Sequence, residues 1–362
     1  MPPTPEPVAW DVAERVATRV ARRTDPHIDW ATHRRLLVDF EEVTAQAEEL
    51  VAESTGLRSL AGPARADVTD RNGWIRANIT SFRRLLGPLL DKAGKGGRSL
   101  PGVLGPIGRS AAGAEMGMVL GWMSGRVLGQ YDLLFTEEGD APRDAVYYVG
   151  PNIVSLERRH GFPPREFRLW IALHELTHRA QFTGISWLRP HFLDLVEKSV
   201  AIAAPDPRQV MDAVGRMTTE IRAGRNPIAE SGLVGALASP DQLETIRSIQ
   251  GMMSLLEGHG DVTMDRAAKD LIPSAERFAK VLRARRESVG GVARFFQQLI
   301  GLEAKMRQYA EGERFVEHVE QVGGPELLAI AWVGPENLPT VEEIRAPEQW
   351  VTRVRGLALT SA

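Results

Sequence analysis

The stretch Pro164–Gly184, PREFRLWIALHELTHRAQFTG, decides how the rest of the chain is read. Proline suits the first turn of a helix, where backbone N–H groups have no partner, and glycine suits its end. Between them Phe167, Trp170, Ile171, His174, His178 and Phe182 recur three and four residues apart, the spacing of a core-facing stripe. His174 and His178 lie one turn apart on that stripe, so both imidazoles can reach one ion at about 2.0–2.1 Å. Glu175 sits about 100° further round. There it flanks the ion without ligating it, as a general base for water activated by the metal must. The bland alternative is a pair of buried histidines satisfied by hydrogen bonds.

Composition narrows the donor set. The chain of 362 residues is 43% hydrophobic and 25% charged, the profile of a globular protein, with a net charge of -3 that offers nothing to nucleic acid. It has no cysteine, which excludes thiolate zinc, iron–sulfur clusters and a cysteine nucleophile. Any transition metal must be held by imidazole and carboxylate. The N-terminal residues Met1 to Pro7 lack the basic start and apolar run of a signal peptide. The most apolar window, Ala111–Leu128, is broken by Glu115 and Arg126. A cytoplasmic protein without membrane or nucleic-acid partners is expected.

Working outward, helix dominates. Val12, Val16, Val20 and then Leu36, Leu37, Phe40, Val43 mark helices between Trp10 and Leu60, while Asn72-Gly73 and Lys92–Pro106 read as loops. Gly113, Gly117, Gly121, Gly125 and Gly129 repeat every fourth residue, a small-residue ridge on one helix face. Each costs roughly 1 kcal/mol against alanine, so the ridge implies close contact with another helix. Ala145–Val149 reads as a short strand closed by Gly150-Pro151-Asn152. Ser239-Pro240 opens a long helix that ends before Pro273, and a further helical stretch covers Ala275 to Glu311.

A catalytic zinc takes three protein ligands and an open position. Arg179–Gly184 supplies no further histidine, so the third ligand is distant. Glu257-Gly258-His259-Gly260-Asp261 is the next donor cluster. Glu257 and Asp261 share a helix face, giving Glu257 as ligand and Asp261 as acceptor for a histidine N–H. His259, on the other side, is the rival third ligand. Gly258 and Gly260 suggest a close approach between the two metal-bearing helices.

His174-Glu175-x-x-His178 with Glu257-x-x-x-Asp261 resembles the gluzincin arrangement of zinc metallopeptidases. FRLW at Phe167–Trp170, Gln181-Phe182, GWMSGRVLGQYD at Gly121–Asp132 and Glu257-Gly258-His259 resemble an actinobacterial family of zinc-dependent metalloproteases, formerly a domain of unknown function and associated by name with deazaflavin coenzyme biosynthesis. The resemblance extends from about Asp29 to Trp350. It implies an α+β, predominantly α-helical zincin-like fold with a small sheet: an N-terminal helical region 1–110, a catalytic core 111–316 and a C-terminal tail 317–362. It also implies one Zn2+, a peptide or small amide as substrate, and an edge strand over the active helix. Ala145–Val149, with Tyr147 and Tyr148, is the strand expected there, or else an ordinary core strand. The oxyanion-stabilising group is left among Tyr147, Tyr148, His160 and His259. The expected function is zinc-dependent peptide or amide hydrolysis. The alternative is a zincin-like scaffold that binds zinc or a partner without proteolysis.

Overall fold

The computed structural model describes residues 6, 8–22, 26, 28–95, 106–133, 144–201, 240–269, 271–287 and 302–360. Among these residues helices dominate and three short strands form one sheet, an α+β arrangement. Two compact units divide it: residues 1–184 with 263–281, and residues 185–262 with 282–362. The boundaries expected after residues 110 and 316 fall inside the first and the second unit respectively.

The first unit holds helices α1 (Trp10–Ala21), α2 (Trp30–Thr55), α3 (Arg71–Lys95), α4 (Pro106–Ser124), α5 (Gly150–His160) and α6 (Pro164–Gly184). Its strands are β1 (Arg65–Thr69), β2 (Gly129–Tyr131) and β3 (Ala145–Val149), ordered β1-β3-β2. β1 lies parallel to β3, and β2 lies antiparallel to it. α2 is started by Asp29, whose carboxylate accepts from Thr32 N–H, and is stopped by Gly56 in the left-handed conformation. Two expected loops are otherwise. Asn72-Gly73 lies in the first turn of α3, because Asp70 accepts from the Gly73 N–H and organises a helix start around it. Gly150-Pro151-Asn152 opens α5, with proline again at a position whose N–H needs no partner. Residues 92–95 continue α3, whereas residues 96–105 and Ser239 lie outside the described residues.

The glycine ridge does pack against a helix, but only three of its members are helical. A side chain at Gly113, Gly117 or Gly121 would come within 2.4–2.6 Å of the carbonyl oxygens of Ala9, Ala13 and Ala17 of the α1 segment. Backbone therefore lies on backbone along the α1–α4 seam, and Trp10, Trp74 and Leu120 close the surrounding core. α4 stops at Ser124, so Gly125 sits in a turn against the Arg71 guanidinium and Gly129 begins β2. Arg71 donates to Asn152 Oδ1, and Asn152 donates to the Ser124 and Val127 carbonyls, which fixes that turn.

α2 and α6 cover the sheet face that carries the Tyr148 ring, which stacks on Phe40 and bonds to Thr44. Arg179 of α6 is buried and pairs with Glu48 of α2 and with Asp144 just before β3. Arg168 of α6 pairs with Glu157 of α5 and Asp39 of α2. Phe162, Phe167, Trp170 and Phe278 form an aromatic cluster at the start of α6.

The second unit comprises α7 (Leu188–Ala201), α8 (Pro240–Ala268, up to Val262), the last residues of α9 (Ala275–Glu287), α10 (Leu302–Ala329, broken at Gly323-Gly324), α11 (Val341–Arg345) and α12 (Pro347–Thr360). Leu255, Phe315, Val316, Val319, Ile344 and Trp350 lie in its core. Gly258 of α8 crosses Gly312 of α10, where any side chain would strike backbone at 2.1 Å. Gly258 serves that crossing. Among the described residues no helix is long and apolar enough to cross a membrane.

Gly117→Ala is expected to destabilise the protein by about 1–2 kcal/mol: a Cβ 2.5 Å from the Ala13 carbonyl oxygen meets backbone that cannot swing aside, which puts overpacking at about 2–3 kcal/mol against the roughly 1 kcal/mol that alanine gains in a helix. Chemical denaturation checks it, and an unchanged midpoint would contradict the seam.

Candidate metal centre

α6 is where the site begins, and it is buried round most of its circumference rather than along one stripe. His174 and His178 are half-buried, while Glu175 between them is buried. The two imidazoles meet edge to face with centroids 4.6 Å apart, and their Nε2 atoms are 3.2 Å apart. Two ligands held at about 2.0–2.1 Å on a tetrahedral ion lie about 3.3 Å from each other. The observed separation would let both nitrogens hold one ion.

Tautomer chemistry agrees. His178 Nδ1 lies 3.0 Å from Gln181 Oε1. An amide oxygen accepts only, so Nδ1 carries the proton and Nε2 presents its lone pair towards His174. Gln181 is thus a partner that orients the His178 ring. Its place three residues after His178, on the same helix face, was the available signal for it. The residues present fit a zinc ion: neutral nitrogen donors, correctly spaced, one of them held by an outer hydrogen bond.

Glu175 is held from a different direction. Its Oε2 accepts from the backbone N–H of Tyr131 at 3.1 Å, and its side chain lies over Gly129. Both residues belong to β2, which the sequence reading did not identify as a strand.

Of the two readings of Ala145–Val149, the core strand is the one that holds. Ala145–Val149 is β3, the middle strand, with β1 on one side and β2 on the other, so it has no free edge to offer a peptide. Tyr148 is fully buried against α2; burial first, and the Glu175 charge as a lesser cause, push its hydroxyl pKa well above the usual phenol value. That hydroxyl neither reaches an open cleft nor gives up a proton near neutral pH. Tyr147 pairs with Gln130, whose side chain bonds to Trp74 of α3, so Tyr147 faces away from α6. His160 ends α5, its ring stacked on Phe162 and its carbonyl accepting from Arg277, a setting that serves packing.

Glu257, His259 and Asp261 lie on α8 within the second unit. Glu257 and Asp261 are one turn apart, and His259 points to the other side, edge-on to the Trp332 ring at 5.2 Å and buried.

Comparison with known proteins gives a family and one structural relative. Residues 8–351 match the Zincin-like metallopeptidase family. No curated protein matches the chain. A crystal structure from Chloroflexus aurantiacus, described as a "putative hydrolase with a novel fold", is similar at a TM-score of 0.71 and 29% identity, over 96% of this chain and 99% of that one.

Gln181→Ala should weaken zinc binding about 10–100-fold, as loss of a ligand-orienting partner does. Competition with a chelator of known affinity measures this; an unaltered affinity would remove Gln181 from the site.

Proposed function

The chain belongs to the zincin-like metallopeptidase family, and on that premise we propose that it hydrolyses peptide or amide bonds at a zinc ion held by His174, His178 and Glu257. The observation carrying this reading is the 3.2 Å approach of the two histidine Nε2 atoms on a helix that also presents a buried glutamate. Glu257 as third ligand is supported by its chemistry: in a chain without cysteine a carboxylate is the donor type that completes an imidazole pair, and Glu257 stands on a helix one turn before Asp261. His259, buried on the other side of α8 and edge-on to the Trp332 ring, is the less suitable donor.

Zinc in such a site is a Lewis acid toward the scissile carbonyl and lowers the pKa of water to about 7. The chain's own residues do the rest. His178, its Nδ1 proton engaged by Gln181, offers a fixed lone pair. Glu175 keeps Oε2 on the Tyr131 N–H, so Oε1 is the atom assigned to accept the proton of the attacking water. The same carboxyl then returns that proton to the departing nitrogen, which leaves as an amine rather than as an amide anion. Burial of Glu175 strengthens its electrostatic interaction with a neighbouring cation.

Glu175→Gln should retain one zinc per chain while amide turnover falls by at least about 100-fold, the lower range for loss of a general base. Glu257→Ala should lose the zinc. Metal analysis of purified protein and cleavage of a peptide library measure both. Wild type without zinc would sink the proposal; wild type with zinc but no turnover would support the zinc-binding scaffold instead.

A further inference from the structure

β2 is only three residues long, yet two of them meet Glu175. Pairing of Gly129 with Tyr148 and of Tyr131 with Val146, together with the bond from Val149 N–H to the Leu128 carbonyl, sets its ladder. In that register Gln130 exchanges hydrogen bonds with β3, whereas the N–H groups of Gly129 and Tyr131 point outward from the sheet. The outward Tyr131 N–H donates to Glu175 Oε2 at 3.1 Å. An ideal Cβ on Gly129 would stand 2.6 Å from Glu175 Cγ, 2.7 Å from Oε1 and 2.9 Å from Cδ. No alanine fits there unless the carboxylate moves.

The strand itself is immobilised from its other face. Gln130 Oε1 accepts from Trp74 Nε1 at 2.7 Å, and Gln130 Nε2 donates to Asn78 Oδ1 at 3.1 Å. Ser81 Oγ donates to Asp132 Oδ2 at 3.2 Å, and Asn152 holds the turn before the strand. Residues from α3 and α5 thus fix a strand whose backbone is the surface on which Glu175 rests.

We infer that Gly129 and the Tyr131 N–H are positioning groups for Glu175: the amide fixes Oε2, and the missing side chain leaves the space in which Oε1 is aimed. The inference rests on Glu175 being the base of the proposed reaction. A backbone donor suits this task because its position is set by the sheet and cannot rotate away, and a glycine suits it because the carboxylate occupies the Cβ position. The predicted cost of Gly129→Ala is therefore functional: it collides with the end of a flexible side chain, which can swing aside and leave the fold intact.

Two measurements on the full-length, zinc-loaded protein test this. Amide hydrogen exchange at Tyr131 needs no substrate: Glu175→Ala should speed it at least about 10-fold relative to wild type, and Gly129→Ala should speed it comparably. In steady-state kinetics Gly129→Ala should lower kcat about 100-fold with KM, zinc content and Tm near wild type, since misplacement of a catalytic group by about 1 Å costs that much. Unchanged Tyr131 exchange in both variants, or wild-type kcat in Gly129→Ala, would overturn the inference. If wild type cleaves no amide, the hydrolytic reading fails by itself, and the exchange rates still decide whether β2 holds Glu175.

Discussion

The Arg179 guanidinium, only 1% exposed, is the interaction on which the site's geometry depends. It follows His178 directly, and its donors are divided among three partners. Nε and one terminal nitrogen engage Asp144 just before β3, the other terminal nitrogen engages Glu48 of α2, and the Gly62 carbonyl accepts at 2.7 Å. A buried charge costs several kcal/mol of desolvation, which only well-placed partners offset. The arrangement therefore has one good solution, and that solution sets the rotation of α6 about its axis. Because His174, Glu175 and His178 leave the same helix within two turns, fixing its rotation fixes where all three point. Arg168, three turns earlier, ties the same helix to Glu157 and Asp39.

Against this anchored helix the sheet supplies the second reference frame. α2 and α6 cover one face and α3 the other, so β2 is held from α3 while presenting its backbone to α6. Rigid elements then approach Glu175 from two sides, which locates a carboxylate better than a loop could.

What was legible in the sequence follows from how local each signal is. The bounds of α6, its paired histidines and the β3 strand were readable because periodicity, proline and glycine at the ends, and ligand spacing all act within a few residues. The glycine ridge was read correctly as a helix contact, yet its spacing could not show that the helix ends at Ser124. That end is imposed by Asn152 and Arg71 from elsewhere in the chain. β2 was illegible for a similar reason: three residues beginning with glycine carry little strand propensity, and their extended form comes from pairing with β3 and from the hold of Trp74 and Asn78 on Gln130. Whether Ala145–Val149 was an edge or a core strand stayed open, because a strand's sequence shows its pleat but not how many neighbours it has; the core alternative holds. Tyr148 looked chemically useful in sequence and is spent on Thr44 and Phe40.

The α1–α4 seam also bears on the order in which the protein assembles. A helix of 12 residues is marginal by itself in water. The alanines of α1 find their complement only in glycines roughly a hundred residues later, a long-range contact of the kind that slows folding. During synthesis the chain of α1 therefore waits, with α2, β1 and α3 already made, until α4 emerges. The extra entropy of closing so long a loop is small, only about 0.6 kcal/mol for each doubling of length. Besides its effect on stability, the glycine spacing thus bears on timing: α1 is locked in place only once α4 has been made.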